Sequence, residues 1–191
     1  MYRALAWAAL RRGIAPDDEE SLGELARAAM MEVRPLPPDS VEVHAVFVDG
    51  EDATPHLREP EVEGAVSLVS RAPKVREEMV RRQRALAGLH PGVVMIGRDI
   101  GTVVVPDARL KVYLDASPEV RARRRQRQLE RRGGAVDRER VAAAIARRDV
   151  IDSTREVSPM RPAADAHIID TDHLTLDEVV DRVMKLVQAC R

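Results

Sequence analysis

Cysteine occurs once, as Cys190 beside the C-terminus, so no disulfide can form within the chain and a reducing compartment is expected, the cytoplasm by default. Aromatics make up 2% of the residues, one Trp, two Tyr and one Phe, which leaves little with which to stack nucleic-acid bases. Lysine is scarce as well: Lys74, Lys111 and Lys185 stand against 28 arginines among 31 basic residues, so short arginine motifs arise by chance and an isolated one carries little weight. Long apolar runs are missing. The nearest, residues 4–10, is seven residues long between Arg3 and Arg11-Arg12, far below the ~18 of a membrane span and without the cleavage site of a signal peptide. A strong net charge is lacking too, at −1 with 33% charged residues, and this excludes a global basic field for nucleic acid.

What is present fits one domain, residues 1–191, large enough to bury a core. A helix ending at Gly13 opens the chain with no Ser, Thr, Asp or Asn before it as a cap. A second helix is expected over 17–31, opened by Asp17-Asp18 and broken by Pro35, Pro37 and Pro38. Residues 41–48 are rich in β-branched side chains and end in the turn dipeptide Asp49-Gly50, which predicts a strand in a small antiparallel piece. Helices over 61–70 and 74–89 follow, the latter behind Pro73. Three short apolar runs, 93–96, 111–114 and 167–169, have the character of buried parallel strands. Between and after them lie helices over 118–132, started by Ser117 and stopped by Gly133-Gly134, over 138–149, and from Thr175, where Glu178 completes capping-box spacing. Strands alternating with helices predict an α/β layered fold with a parallel sheet.

Ligands in such folds bind beyond the carboxyl ends of the strands. Gly97-Arg98-Asp99-Ile100-Gly101-Thr102 offers a donor fork and a carboxylate between two glycines, or else an Arg-Asp pair closing a tight turn. In Arg147-Arg148-Asp149-Val150-Ile151-Asp152-Ser153-Thr154-Arg155, Arg148 and Asp152 share a helix face, as a site or as an ordinary salt-bridge ladder. Ser67 and Arg76 stand nine apart across Pro73. The arginine run 121–127 admits three readings: a solvated helix face, a phosphate-clamping lid hinged at Gly133-Gly134, or an RNA-binding arm without aromatic partners.

Six landmarks in order, Met1-Tyr2-Arg3-Ala4-Leu5-Ala6, Val48-Asp49-Gly50-Glu51-Asp52, Pro73-Lys74-Val75-Arg76, Gly97-Arg98-Asp99-Ile100-Gly101-Thr102, Tyr113-Leu114-Asp115-Ala116-Ser117 and Arg148-Asp149-Val150-Ile151-Asp152-Ser153-Thr154-Arg155, resemble the bacterial cytidylate kinases of the P-loop nucleoside monophosphate kinase family. The resemblance implies a three-layer P-loop NTPase-type parallel sheet, a nucleotide-binding insertion at 41–84 and a helical lid at 121–150. It implies transfer of the γ-phosphoryl group of ATP, with Mg2+, to CMP or dCMP in the cytoplasm, by a monomer when complete, with no nucleic acid or membrane partner. Ser67, Arg76 and Asp99 match the residues that read cytosine, whose exocyclic amino group donates where uracil accepts. Arg3, Arg98 and Arg155 match those catalysing transfer at the monophosphate, Arg148 and Asp152 those at the ribose, and Arg124 and Arg125 those near the ATP phosphates. No metal ligand is assigned.

The family's GxxxxGK[ST] loop cradles ATP, and this sequence contains no Gly-Lys pair. The resemblance sets Met1 after the family's second strand, with about forty residues upstream, so the first strands of the sheet are expected to be missing. Two accounts are open: an internal methionine taken as the start, or a CMP-binding relic without turnover. On the first, the 191 residues as given are expected to bind no ATP and to be poorly soluble.

Overall fold

The computed structural model describes residues 1–37, 39–40, 42–89, 92–131, 137–154 and 157–190, and its chain divides into two compact units, Met1–Gly92 and Val93–Arg191.

The first unit holds the apolar core. Helix α1 (Tyr2–Arg11) buries Ala4, Leu5, Ala6, Trp7, Ala8 and Ala9, four of them alanines, so neighbours can approach from several sides. It has no side-chain cap at Met1, as the sequence implies. Helix α2 (Glu19–Ala28) is capped by the Asp18 carboxylate, which accepts from the Ser21 amide at 3.1 Å. The helix expected to reach residue 31 stops at Ala28. Met31 instead opens strand β1 (Met31–Pro35), antiparallel to β2 (His44–Val48), and β2 pairs in turn with β3 (Glu51–Asp52). Pairing with β2 overrides the weak helical preference here, and Pro35 is tolerated because it ends an edge strand. The β2–β3 turn is the expected Asp49-Gly50, both residues at positive φ (51° and 83°), the geometry of a type I′ hairpin. Val41, where the strand was expected to begin, lies outside the described residues.

Helices α3 (Pro60–Val69) and α4 (Pro73–Gly88) complete this unit, each with proline in its first turn. Gly23 lets α2 approach α4: a Cβ there would lie 2.8 Å from Lys74 Cβ. Arg82 of α4 donates to Ala26 O at 2.9 Å and Ala29 O at 2.7 Å, satisfying the carbonyl end of α2. Trp7 stacks on His56 (5.8 Å between centroids, 12° between planes), with the Arg11 guanidinium 5.3 Å from its ring centre.

The second unit contains the parallel sheet, smaller than expected. Strands β4 (Val112–Asp115) and β5 (His167–Asp170) pair in parallel, Val112 opposite His167 through Asp115 opposite Asp170. Residues 93–96 form no strand. Val94 and Ile96 are 91% and 95% exposed, and no described strand lies beside them to complete a ladder. An apolar run is a strand only where it finds a partner. What the described residues establish is thus an α/β chain with a parallel pair of strands, short of a three-layer sheet. A single π-helical turn, Ile100–Val104, follows Asp99, and such turns favour functional positions. Helix α5 (Pro118–Glu130) is capped by Ser117. Helix α6 (Arg138–Thr154) runs five residues beyond its expected end at 149, and α7 (Leu176–Ala189) carries the capping box predicted at Thr175 and Glu178.

Candidate active site

The sequence-selected residues fall into two groups, one in each unit. In the first, Arg3 on α1 donates Nη1 to Leu57 O at 2.9 Å and to Glu63 Oε1 at 3.0 Å. Ser67 is buried on α3, and Arg76, 1% exposed, is buried on α4. The turn between these helices connects them: Arg76 Nη1 donates to Ser70 O at 3.2 Å, and Ser70 Oγ donates to Ser67 O at 3.1 Å. The Arg76 guanidinium also lies 5.4 Å from the Tyr2 ring centre, a desolvated cation–π contact. Burial of a cation is costly unless polar partners and ring faces surround it, and the Ser70 carbonyl and the Tyr2 ring supply part of that compensation here.

The second group forms around two aspartates of α6. Because α6 continues to Thr154, Arg148, Asp149 and Asp152 sit on one unbroken helix, the last two a turn apart. Arg98 reaches them from the loop before the π turn. Its Nη1 lies 3.4 Å from Asp149 Oδ1, 3.4 Å from Asp152 Oδ2 and 2.7 Å from Met160 Sδ. Arg148 Nε stands 3.6 Å from Asp152 Oδ2, at ion-pair range. Arg121 of α5 pairs with Asp149 Oδ2, and its Nε donates to Ala116 O at 3.1 Å. Met160 is carried back to α6 by its amide, which donates to Asp152 O at 2.7 Å.

Of the alternatives left open by the sequence, the structure gives Arg98 to the α6 carboxylates, and the Arg148–Asp152 spacing does form an ion pair. Asp99 is 5% exposed, and its carbonyl accepts from Val103 N at 2.9 Å within the π turn. Arg124 pairs through Nη1 with Thr171 Oγ1 at 2.8 Å and through Nη2 with Thr171 O. Arg125 donates to Gln128 Oε1 at 2.7 Å. Arg155 lies outside the described residues, as do residues 132–136 with the Gly133-Gly134 hinge.

Arg121 and Asp149 are neighbours of Arg98 that sequence reasoning passed over. Arg121 was one of a crowd of arginines. Asp149 was the last residue of the expected helix, and only the added turn sets it and Asp152 side by side. Among the described residues no helix is long and apolar enough to cross a membrane.

The sequence profile of the family described as cytidylate kinase matches residues 1–189. The cytidylate kinase of Geobacillus sp. (strain WCH70) is 51% identical over 187 residues, 98% of this chain and 81% of that protein. The cytidylate kinase of Pelotomaculum thermopropionicum is 47% identical over 191 residues, 100% of this chain and 83% of the other. A bifunctional pantoate ligase/cytidylate kinase of Synechococcus sp. (strain JA-3-3Ab) is 49% identical over 186 residues, 97% of this chain and 34% of that longer protein.

Proposed function

Because this chain belongs to the cytidylate kinase family, we propose that it transfers the γ-phosphoryl group of ATP to CMP or dCMP, giving ADP and the cytidine diphosphate. The observation that carries this reading is the convergence of Arg98 and Arg148 on the α6 carboxylates, next in sequence to buried Asp99. Phosphoryl transfer asks a protein chiefly for position and charge, and these side chains are suited to both.

In this reading Arg3, Arg98 and Arg155 hold the monophosphate and the transferring group, Arg148 and Asp152 hold the ribose, and Ser67, Arg76 and Asp99 read the base. Arg124 and Arg125, in a lid spanning 121–150, approach the ATP phosphates, and residues 41–84 form the nucleotide-binding insertion. The nucleotides of the cytoplasm are the substrates. The acidic and basic residues do not by themselves supply a magnesium cage: among the described residues no three His, Cys, Asp or Glu side chains come together to hold a metal ion. The sequence likewise contains no Gly-Lys phosphate loop. The work of the described residues is to bind, orient and neutralise.

Asp99→Ala tests the base-reading role. A carboxylate accepts from the amino group of cytosine but opposes the carbonyl of uracil, so the variant should lose CMP affinity more than UMP affinity, by ~1–3 kcal/mol of discrimination. Calorimetric titration with both nucleotides measures this. Equal losses would reduce Asp99 to a structural part of the π turn.

A further inference from the structure

We propose that Asp149, braced by Arg121, is a positioning residue that holds Arg98 by one nitrogen and so keeps the opposite edge of its guanidinium available to the substrate phosphate. This rests on the assignment of Arg98 to the phosphate in the preceding reading.

All three contacts of Arg98, to Asp149, Asp152 and Met160, are made by Nη1. Among the described residues, neither Nε nor Nη2 has a hydrogen-bond partner. Those two nitrogens share one edge of the guanidinium and form the parallel fork that takes two oxygens of a phosphate. Arg98 is thus fixed at one corner with its bidentate edge spared. The side chain is 35% exposed, against 3% for the Asp152 it contacts, so solvent and ligand have access to it.

Asp149 divides its two oxygens between two cations. Oδ1 faces Arg98 and Oδ2 faces Arg121, while Arg121 Nε is tied to Ala116 O at the end of β4. The result is a continuous connection from the parallel strands, through the α5 and α6 helices, to the loop bearing Arg98. Arginine does not deprotonate in proteins, so Arg98 and Arg121 stay positively charged on either side of the Asp149 carboxylate. Without Asp149, Arg98 would be repelled by Arg121 and drawn to Asp152 alone, where its fork would be spent on the protein's own carboxylate.

The test is titration of the full chain with CMP and with cytidine, which differ only in the phosphate. Asp149→Asn should weaken CMP by about tenfold or more and change cytidine by less than about twofold. Arg121→Gln should act in the same direction, and the Asp149→Asn/Arg121→Gln pair should be no worse than the stronger single variant, as for residues acting in series. On an Arg98→Ala background Asp149→Asn should add nothing further. Asp149→Glu, which restores the carboxylate, should recover part of the CMP preference. Equal weakening of CMP and cytidine by Asp149→Asn would mark a merely structural residue and overturn the proposal. So would an Asp149→Asn chain with an unchanged preference while Arg98→Ala loses it. If Arg98→Ala itself leaves the preference intact, or the unaltered chain does not prefer CMP to cytidine, the phosphate assignment of Arg98 falls and the proposal with it.

Discussion

Glu78 of α4 is held by two neighbouring arginines. Arg81 donates Nε to its Oε2 at 2.8 Å and Nη2 to its Oε1 at 2.7 Å, and Arg82 donates Nε to Oε1 at 2.6 Å. These bonds, Arg81's first, lower its pKa from 4.5 to about 2 despite partial burial. A carboxyl with a folded pKa below its unfolded one stabilises the fold above the unfolded value, and that contribution disappears as pH falls through the interval from 4.5 to about 2. Since Arg82 also ties the end of α2, the α2–α4 packing should weaken in the same interval. Glu78→Gln should cost ~1–3 kcal/mol at neutral pH, the value of hydrogen bonds to a charged group, and should flatten this acid limb. Urea unfolding at a series of pH values measures both. An acid limb of unaltered slope in the variant would assign the loss of stability to other carboxylates.

At the scale of elements, the most self-contained device is the start of α7. Thr175 Oγ1 accepts from the Glu178 amide at 3.3 Å, while Glu178 Oε2 accepts from the Thr175 amide at 2.7 Å. Thr175→Ala removes the hydroxyl from this exchange and should destabilise the helix by ~0.5–2 kcal/mol. Hydrogen exchange of the first-turn amides of α7 should rise accordingly. Exchange unchanged there would show that the helix is held by other contacts. This box was legible in the sequence, as were the Asp49-Gly50 hairpin and the prolines that open α3 and α4, because each rests on chemistry within a few residues. Residues 93–96 were misjudged because a strand is a relation between segments and no described segment supplies the other half. Strand β1 was hidden for the converse reason: its composition is ordinary, and β2 makes it a strand. In the site, Arg98, Arg148 and Asp152 were legible as candidates. Arg98's attachment to Asp149 was not, since it depends on where α6 ends, and helix ends are set by tertiary packing as much as by local sequence.

Across the whole molecule, apolar burial is unevenly distributed. The continuous cluster of buried apolar residues runs from Ala4 to Met79 and lies entirely in the first unit. The second unit's buried apolar side chains are Val104, Val120, Ala122 and Ile169, among the described residues. Many others there meet solvent: Val94 and Ile96, Leu114 and Ile168 on the parallel strands, and Leu176, Val180 and Met184 on α7. Exposed apolar surface of this extent promotes association. The 191-residue chain should therefore sediment as concentration-dependent oligomers and enhance the fluorescence of an apolar dye, with weakening of both when Ile96 and Leu114 are changed to polar residues. A monodisperse monomer with no dye response at high concentration would contradict this.

The stacking of Trp7 on His56, with Arg11 over its ring, gives this asymmetry an optical signature. The only indole of the protein lies inside the better-packed unit. Its emission is therefore a probe placed in the first unit, while the one Phe, Tyr or Trp side chain of the second is Tyr113. Excited at the red edge of its absorption, the protein reports on one half of itself, and ellipticity of the helices reports on both. Where those two signals part company during unfolding, the difference is the second unit's own melting curve, obtained without cutting the chain or attaching a label.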